Sequence, residues 1–414
     1  MLPTPKTAWQ GTKNTIPATV LPAFADMSLF PQVLLATPGA WHLRQTAKTF
    51  AQRGALAGLW ISDKNSTGIP PDKYRRCWPY HLAMKPCYQF ASQIWIERAA
   101  YASFPFWRAW LQRQPWPQPN VVHATMGFAT ELFDRAEKTG ALKVVDCPNS
   151  HPTTYFGYWQ RECDLWCPGE KVPIPRWMFA RMNRELTRAD LVLCPSFFVR
   201  DTMLANGIPA EKCLVNPFGV NTDIFKPRSS VPARPKFVAI GTICVRKGFQ
   251  YLFRAFEMVK RQLPEAELVV VGDKKIDFRR EWPRWVGTFT HFPSLSHPEL
   301  AALLQTSTAF VFPSMEEGFA RVISEAMASG LPILASYESG ATTLVEDGVE
   351  GFIVRGRDPQ HIADAMIRVA NDRALNQKMG EAARKKGAEE NTWQDYGDRL
   401  IAEYSQRIQK KSVA

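Results

Sequence analysis

At 414 residues the chain has room for about two or three domains of roughly 150 residues, so it can bury a core without disulfide or metal staples. A composition of 45% hydrophobic, 22% charged and 12% aromatic residues excludes a disordered or collagen-like chain. The 51 basic and 39 acidic residues leave a net charge of +12, which favours anionic partners without naming one.

The first 31 residues are interrupted by Pro3, Pro5, Pro17, Pro22 and Pro31, a pattern that argues against a secretory signal. No run reaches the ~18 to 20 apolar residues of a membrane-spanning helix, and the eight cysteines include no CxxC pair, so reduced thiols and a cytoplasmic location are expected. Gln32–Ala36 then reads as a strand, Thr37-Pro38-Gly39 as a turn, and Leu43–Gln52 as a helix. Short apolar runs at Leu56–Ile61, Asn120–His123, Leu142–Val145 and Leu191–Cys194 continue the series, with helical patterns between several of them. Such alternation predicts parallel βαβ units.

One stretch breaks the rhythm. Residues 74–114 hold eleven aromatics and six Arg or Lys against a single acid, Glu97. Three readings stay open for this insertion: ordinary core, contact with an acidic membrane surface, or a platform for an acceptor sugar. Prolines at 79, 86, 105, 115 and 117 rule out one long amphipathic helix.

Arg228–Pro235, rich in Pro and Ser, reads as a linker. Beyond it the alternation resumes. Strands are expected at Phe237–Gly241, Glu267–Gly272, near Trp285–Phe289, at Ala309–Pro313 and at Ile333–Ala335, with helices at Phe249–Gln262, Glu299–Gln305, Ala320–Ser329 and from Pro359 onward. The fold class is therefore α/β, two doubly wound parallel-sheet domains facing each other across a cleft. The boundaries are 1–228, 229–394 and a terminal helix, 395–414, that can pack back on the first domain.

The densest chemistry lies in Pro313-Ser-Met-Glu-Glu-Gly-Phe-Ala-Arg-Val-Ile-Ser-Glu-Ala-Met-Ala-Ser-Gly-Leu-Pro332. Glu317 falls in a strand-to-helix loop and Glu325 on the helix; at ~100° per residue the two project to roughly one side and can face one ligand. Gly318 lets the chain approach that ligand, and the amides of Val322 and Ile323 can be aimed at phosphate oxygens. Glu316 reads as a loop charge. Arg246, Lys247 and Gly248 form a second element, a cationic turn ahead of a helix that can neutralise a diphosphate.

These residues resemble the signature of the retaining glycosyltransferases of family 4, E-G-F-x-x-x-x-x-E-A-x-A-x-G-x-P. Glu185-Leu-Thr-Arg-Ala-Asp-Leu-Val-Leu-Cys-Pro-Ser196 and Val215-Asn-Pro-Phe-Gly-Val-Asn-Thr-Asp-Ile-Phe-Lys-Pro227 match the same family in order and spacing. The resemblance covers about residues 32–405 and is weakest across 62–119. It implies the GT-B fold and a nucleotide diphosphate sugar as donor, with a hydroxyl acceptor and no essential metal. It also implies that Glu317 bonds the donor sugar and Glu325 the ribose, with Phe319 among the substrate contacts. Lys247 and Gly248 match the family's cationic turn, whereas Thr242 stands where the family has Arg, leaving Arg246 as the substitute cation. Gly340 corresponds to a glycine turn by the phosphates, Gly272 to a loop shaping the base pocket, and Gly39 to a turn close to donor and acceptor. His151 resembles a histidine placed by the acceptor or the transferring sugar, against the plainer alternative of a satisfied histidine; His123 reads more readily as packing. A nucleotide-sugar epimerase or glycosyl phosphorylase would share the architecture but not the 313–332 motif. A nucleic-acid-binding protein, motivated by charge alone, would need aromatic RNA motifs or zinc spacings that the chain lacks.

Overall fold

The computed structural model describes residues 29–413 apart from 40, 41, 65–67, 91, 92, 173 and 390, so the proline-punctuated head lies outside the described residues. Runs such as Val33-Leu-Leu-Ala36 and Leu191-Val-Leu-Cys194 are apolar at every position rather than at alternate ones, and they become strands covered on both faces. The first half of the chain runs β1 (Val33–Ala36), α1 (Leu43–Gln52), β2 (Leu56–Ile61), β3 (Tyr74–Arg76), α2 (Trp78–Phe90), α3 (Gln93–Ala102), α4 (Phe104–Arg113), β4 (Val121–Thr125), α5 (Thr130–Thr139), β5 (Leu142–Asp146), α6 (Pro152–Trp166), α7 (Arg176–Arg188), β6 (Leu191–Cys194), α8 (Phe197–Ala205) and β7 (Cys213–Val215). Its sheet is parallel throughout, in the order β3-β2-β1-β4-β5-β6-β7.

The second half runs β8 (Lys236–Ile240), α9 (Phe249–Gln262), β9 (Glu267–Val271), α10 (Trp282–Trp285), β10 (Thr290–Phe292), α11 (His297–Gln305), β11 (Ala309–Phe312), α12 (Arg321–Ala328), β12 (Ile333–Ser336), β13 (Gly351–Val354), α13 (Pro359–Asn371), α14 (Arg373–Arg384) and α15 (Trp393–Val413). A second parallel sheet has the order β10-β9-β8-β11-β12-β13. Each sheet thus reverses direction of winding once, between β1 and β4 and between β8 and β11. The strand expected near Trp285–Phe289 is a correction: Trp282–Trp285 forms one helical turn, its indoles packed near Phe253 and Phe289, and the edge strand starts only at Thr290. Strands β3, β7 and β13 escaped the sequence reading, because three- and four-residue edge strands carry too little apolar pattern.

Two elements tie the halves together. Helix α15 returns to the first sheet, where Arg53 bonds Asp398 at 2.6 Å and Tyr404 is buried edge-on to Phe50. Helix α6 leaves the first sheet and packs into the core of the second half, Trp159 and Cys163 sharing a cluster with Val245, Phe249 and Phe253. Its buried Glu162 accepts bonds from Gln250 Nε2 (3.1 Å), Tyr251 Oη (3.0 Å) and Arg357 Nε (2.7 Å), so the charge that crosses the seam is fully met. The described cysteines are all free, and all but Cys213 are buried.

Candidate active site

Open parallel sheets bind ligands outside the carboxyl ends of the strands where the order reverses, because the loops diverge there and leave a crevice. In the second half that point lies between β8 and β11. The loop after β8 ends in a 3₁₀ turn, Val245–Lys247, and the loop after β11 carries Glu316 and Glu317. The two loops interlock: Met315 N donates to Arg246 O at 2.9 Å, and a Cβ on Gly248 would stand 2.0 Å from Pro313 O. Gly248 has φ +75°, a conformation that also favours glycine.

This interlock pairs the charges. Lys247 Nζ contacts the Glu317 carboxylate directly. Arg246 donates to Glu316 Oε2 at 2.9 Å and Glu316 O at 2.7 Å, and its guanidinium faces Tyr155 and Trp159 of α6. Burial, with Arg246 alongside, lowers the Lys247 ammonium to about 7, while Glu316 opposes the shift. Glu316 is not a loop charge: it is fully buried and accepts from both Ser150 N (3.1 Å) and Ser150 Oγ (2.8 Å) of the first half. The Glu-Glu doublet before a glycine hid two different tasks, one carboxylate closing the domain seam and the next meeting Lys247.

Gly318 also departs from expectation. Its missing side chain makes room for protein, since a Cβ would meet Pro148 O at 1.8 Å, and Ser196 Oγ bonds Gly318 O at 2.6 Å. Gly340, at φ +78°, likewise faces Ser196 and Gly318 O. Gly272 accommodates the Gly241 carbonyl, 1.9 Å from where a Cβ would lie. Phe319 is buried edge-on to Phe218 at 5.7 Å, inside the core at the seam. The Ile323 amide is spent on Ala320 O at 2.8 Å in the first turn of α12, which corrects its assignment to phosphate; Val322 is half-buried beside it.

Glu325 lies on α12, and its charged neighbours are Arg321 and His297. Glu317 precedes the helix on a non-helical loop, so the helical-rotation argument that aligned it with Glu325 does not apply. Burial raises the Glu325 carboxyl above the ordinary 4.5, with Arg321 and His297 opposing. Thr242 sits half-buried after β8, and Gly39 is half-buried in the turn after β1.

On the facing half, His151 caps α6: its Nδ1 accepts from Thr153 N at 3.3 Å and its own amide donates to Thr202 Oγ1 at 2.9 Å. Burial lowers this imidazole to about 4, so it is neutral at pH 7. The sequence reading missed a buried network beside it. Asp146, the last residue of β5, is held by His42 and lies 3.3 Å from His123 Nε2, whose other nitrogen meets Tyr404 Oη at 3.0 Å. Burial works to raise the Asp146 carboxyl, but the two histidines hold it well below the ordinary 3.8. Asp146 Oδ1, Thr125 Oγ1 and Thr37 Oγ1 are buried without hydrogen-bond partners at the carboxyl ends of β5, β4 and β1. Asp146 closes β5 two positions beyond Val144, the residue paired with His123 of β4, and an aspartate ending an apolar strand was the available signal.

The chain resembles known proteins in both sequence and fold. Residues 220–386 match the family model described as glycosyl transferases group 1. A sulfoquinovosyl transferase of Arabidopsis thaliana is 27% identical over 286 residues, covering 65% of this chain and 53% of the relative, so the chain spans about half that relative's length. An MMP alpha-(1->4)-mannosyltransferase of Mycolicibacterium hassiacum is 28% identical, with 70% and 71% covered. Among solved structures, a sucrose-phosphate synthase from Thermosynechococcus elongatus superposes with a TM-score of 0.66 at 17% identity, covering 92% of this chain and 100% of the other. Anabaena Alr3699/HepE, solved with UDP and glucose, gives 0.65 at 16%, with 91% and 100% covered.

Proposed function

We propose that the chain, which carries a group 1 glycosyltransferase region at residues 220–386 and has the GT-B fold, moves a sugar from a nucleoside diphosphate to a hydroxyl acceptor with retention of configuration. The observation that carries the reading is the contact of Lys247 with Glu317 where β8 and β11 part. A diphosphate seated there meets a cation already desolvated, and a sugar hydroxyl donates to a carboxylate already fixed. As the anomeric C–O bond breaks, charge grows on the departing diphosphate and Lys247 absorbs it. The new C–O bond forms on the same face, and the acceptor proton passes to the leaving phosphate oxygen. Glu325 receives the ribose hydroxyls. No metal takes part in this scheme.

The unpartnered oxygens of Thr37, Thr125 and Asp146 support a hydroxyl-rich acceptor on the opposite wall, since buried polar atoms without partners cost about 1 to 3 kcal/mol each until something bonds them. Product analysis by NMR after incubation with a nucleotide sugar and an alcohol acceptor tests the stereochemistry: an anomeric configuration opposite to the donor's would refute retention.

Glu325 also predicts a pH dependence. Its folded carboxyl is raised above 4.5, and hydroxyl donors favour the ionised form, so nucleotide-sugar affinity should weaken as pH falls through that raised value. Titration calorimetry from pH 6 downward, where Lys247 with its value of about 7 stays protonated, should show this loss in the wild type and a weaker profile without it in Glu325→Gln. An equal slope in both proteins would remove Glu325 from the ribose.

A further inference from the structure

We propose that the outward face of α2 and α4 docks the enzyme on an anionic lipid surface. Both helices turn one side into the same core: Tyr80 and Met84 from α2, and Phe104, Trp107 and Leu111 from α4, are buried together, with the Tyr80 and Trp107 rings edge-on at 6.2 Å. The opposite sides therefore face away from the sheet. They set large apolar side chains among polar and cationic ones. Trp78 is 54% exposed, Leu82 61% and Phe106 52%, the three lying on two neighbouring helices.

Charge selects the occupant. Lys85 continues the Trp78–Leu82 stripe at helical spacing, Arg113 continues that of Phe106, and both are exposed, while Arg76 stacks over the Trp78 ring at 3.5 Å. Residues 74–114 contain one acid against six cations. Aromatic and aliphatic tips with long cationic side chains beside them fit the boundary between acyl chains and negatively charged headgroups, where the tips bury and the cations meet phosphate. An acidic protein surface would satisfy the cations but leave Trp78, Leu82 and Phe106 without an acyl phase. No helix among the described residues is long and apolar enough to cross a membrane, so the contact is peripheral.

The location gives the docking a use. Helix α2 starts directly after β3, at the carboxyl edge of the first sheet, the edge on which Thr37, Thr125 and Asp146 lie. A surface bound there brings its headgroups toward the acceptor wall. This last step rests on the proposed transfer reaction, and it assigns the acceptor hydroxyl to a membrane-borne molecule.

The test is sedimentation of the full chain with vesicles of phosphatidylcholine alone or with phosphatidylglycerol at three parts in ten, at low and moderate salt. The wild type should bind the anionic vesicles, and raising the salt should release it. Lys85→Gln with Arg113→Gln should weaken binding about 30-fold, from roughly 1 kcal/mol per lost cation. Trp78→Ser with Leu82→Ser and Phe106→Ser should abolish it. All five positions are exposed, and circular dichroism confirms that each variant is folded. Absence of wild-type binding, equal binding to both vesicle types, or binding unchanged in either variant would overturn the proposal. So would a dimer in solution that the serine variant dissolves, since the face would then belong to a second copy. Because the assay contains no donor or acceptor, its result is independent of whether the transfer reaction is correctly assigned. Transfer to a soluble alcohol should survive in both variants.

Discussion

Replacing Lys247 by Met is expected to lower turnover by ~10² to 10³, the usual cost of removing one preorganised donor from a developing oxyanion, or ~2.7 to 4 kcal/mol. The reasoning is electrostatic. The Lys247 side chain is 11% exposed, contacts Glu317 and has its ammonium 5.5 Å from the Phe312 ring, so little water remains to share its charge. In that setting its interaction with a departing diphosphate is far stronger than in solvent. Arg246 cannot substitute, because Glu316 holds its guanidinium between the loops, against α6. Steady-state kinetics on Lys247→Met and Arg246→Met separates the two cations. The first should lose far more turnover than stability, because Arg246 still lies 3.9 Å from the Glu317 carboxylate, and the second should lose stability together with activity. A Lys247→Met enzyme with wild-type turnover would mean that the diphosphate is neutralised elsewhere.

The second large effect is at Glu316. Truncation to Ala leaves Arg246 without its carboxylate and removes the acceptor of Ser150 N and Ser150 Oγ across the seam. Breaking one partner out of a buried, hydrogen-bonded charge pair costs ~3 to 5 kcal/mol. Urea unfolding followed by tryptophan fluorescence should show that loss for Glu316→Ala. Glu316→Gln, which keeps the shape and an acceptor for Ser150, should lose less. A Glu316→Ala protein as stable as the wild type would show that the seam is held without this carboxylate, leaving the burden to Glu162 and its three donors.

How much of this was legible in the sequence depends on which residues carry a pattern. Helices such as Leu43–Gln52 and Phe249–Gln262 were read to the residue, since each has a continuous apolar stripe and a clear breaker after it. The pairing of two parallel sheets followed from alternation. What the sequence hides is which surface a residue meets. Gly318 and Gly340 read equally well as space for phosphate or space for protein, and only the nearness of Pro148 O and Ser196 shows that protein fills it. Glu316 and Glu317 are adjacent identical letters with different partners: both carboxylates reach Arg246, at 2.9 and 3.9 Å, but Glu316 goes on to Ser150 and Glu317 to Lys247, a division that no local pattern encodes. His42 and His123 are eighty-one residues apart, and their convergence on Asp146 is a product of strand order, β1 beside β4 beside β5, that local patterns do not encode.

The most direct test of the donor-binding account is thermal unfolding with UDP-, GDP- and ADP-sugars, on the wild type and on Lys247→Met and Glu325→Ala. At ~100 times its dissociation constant, a bound donor adds ~2.7 kcal/mol to the folded state. At least one nucleotide sugar should raise the wild-type midpoint, and both substitutions should shrink that rise at the same concentration. If no nucleotide sugar stabilises the wild type, or if one stabilises all three proteins equally, the cleft between β8 and β11 does not hold the donor in the way proposed.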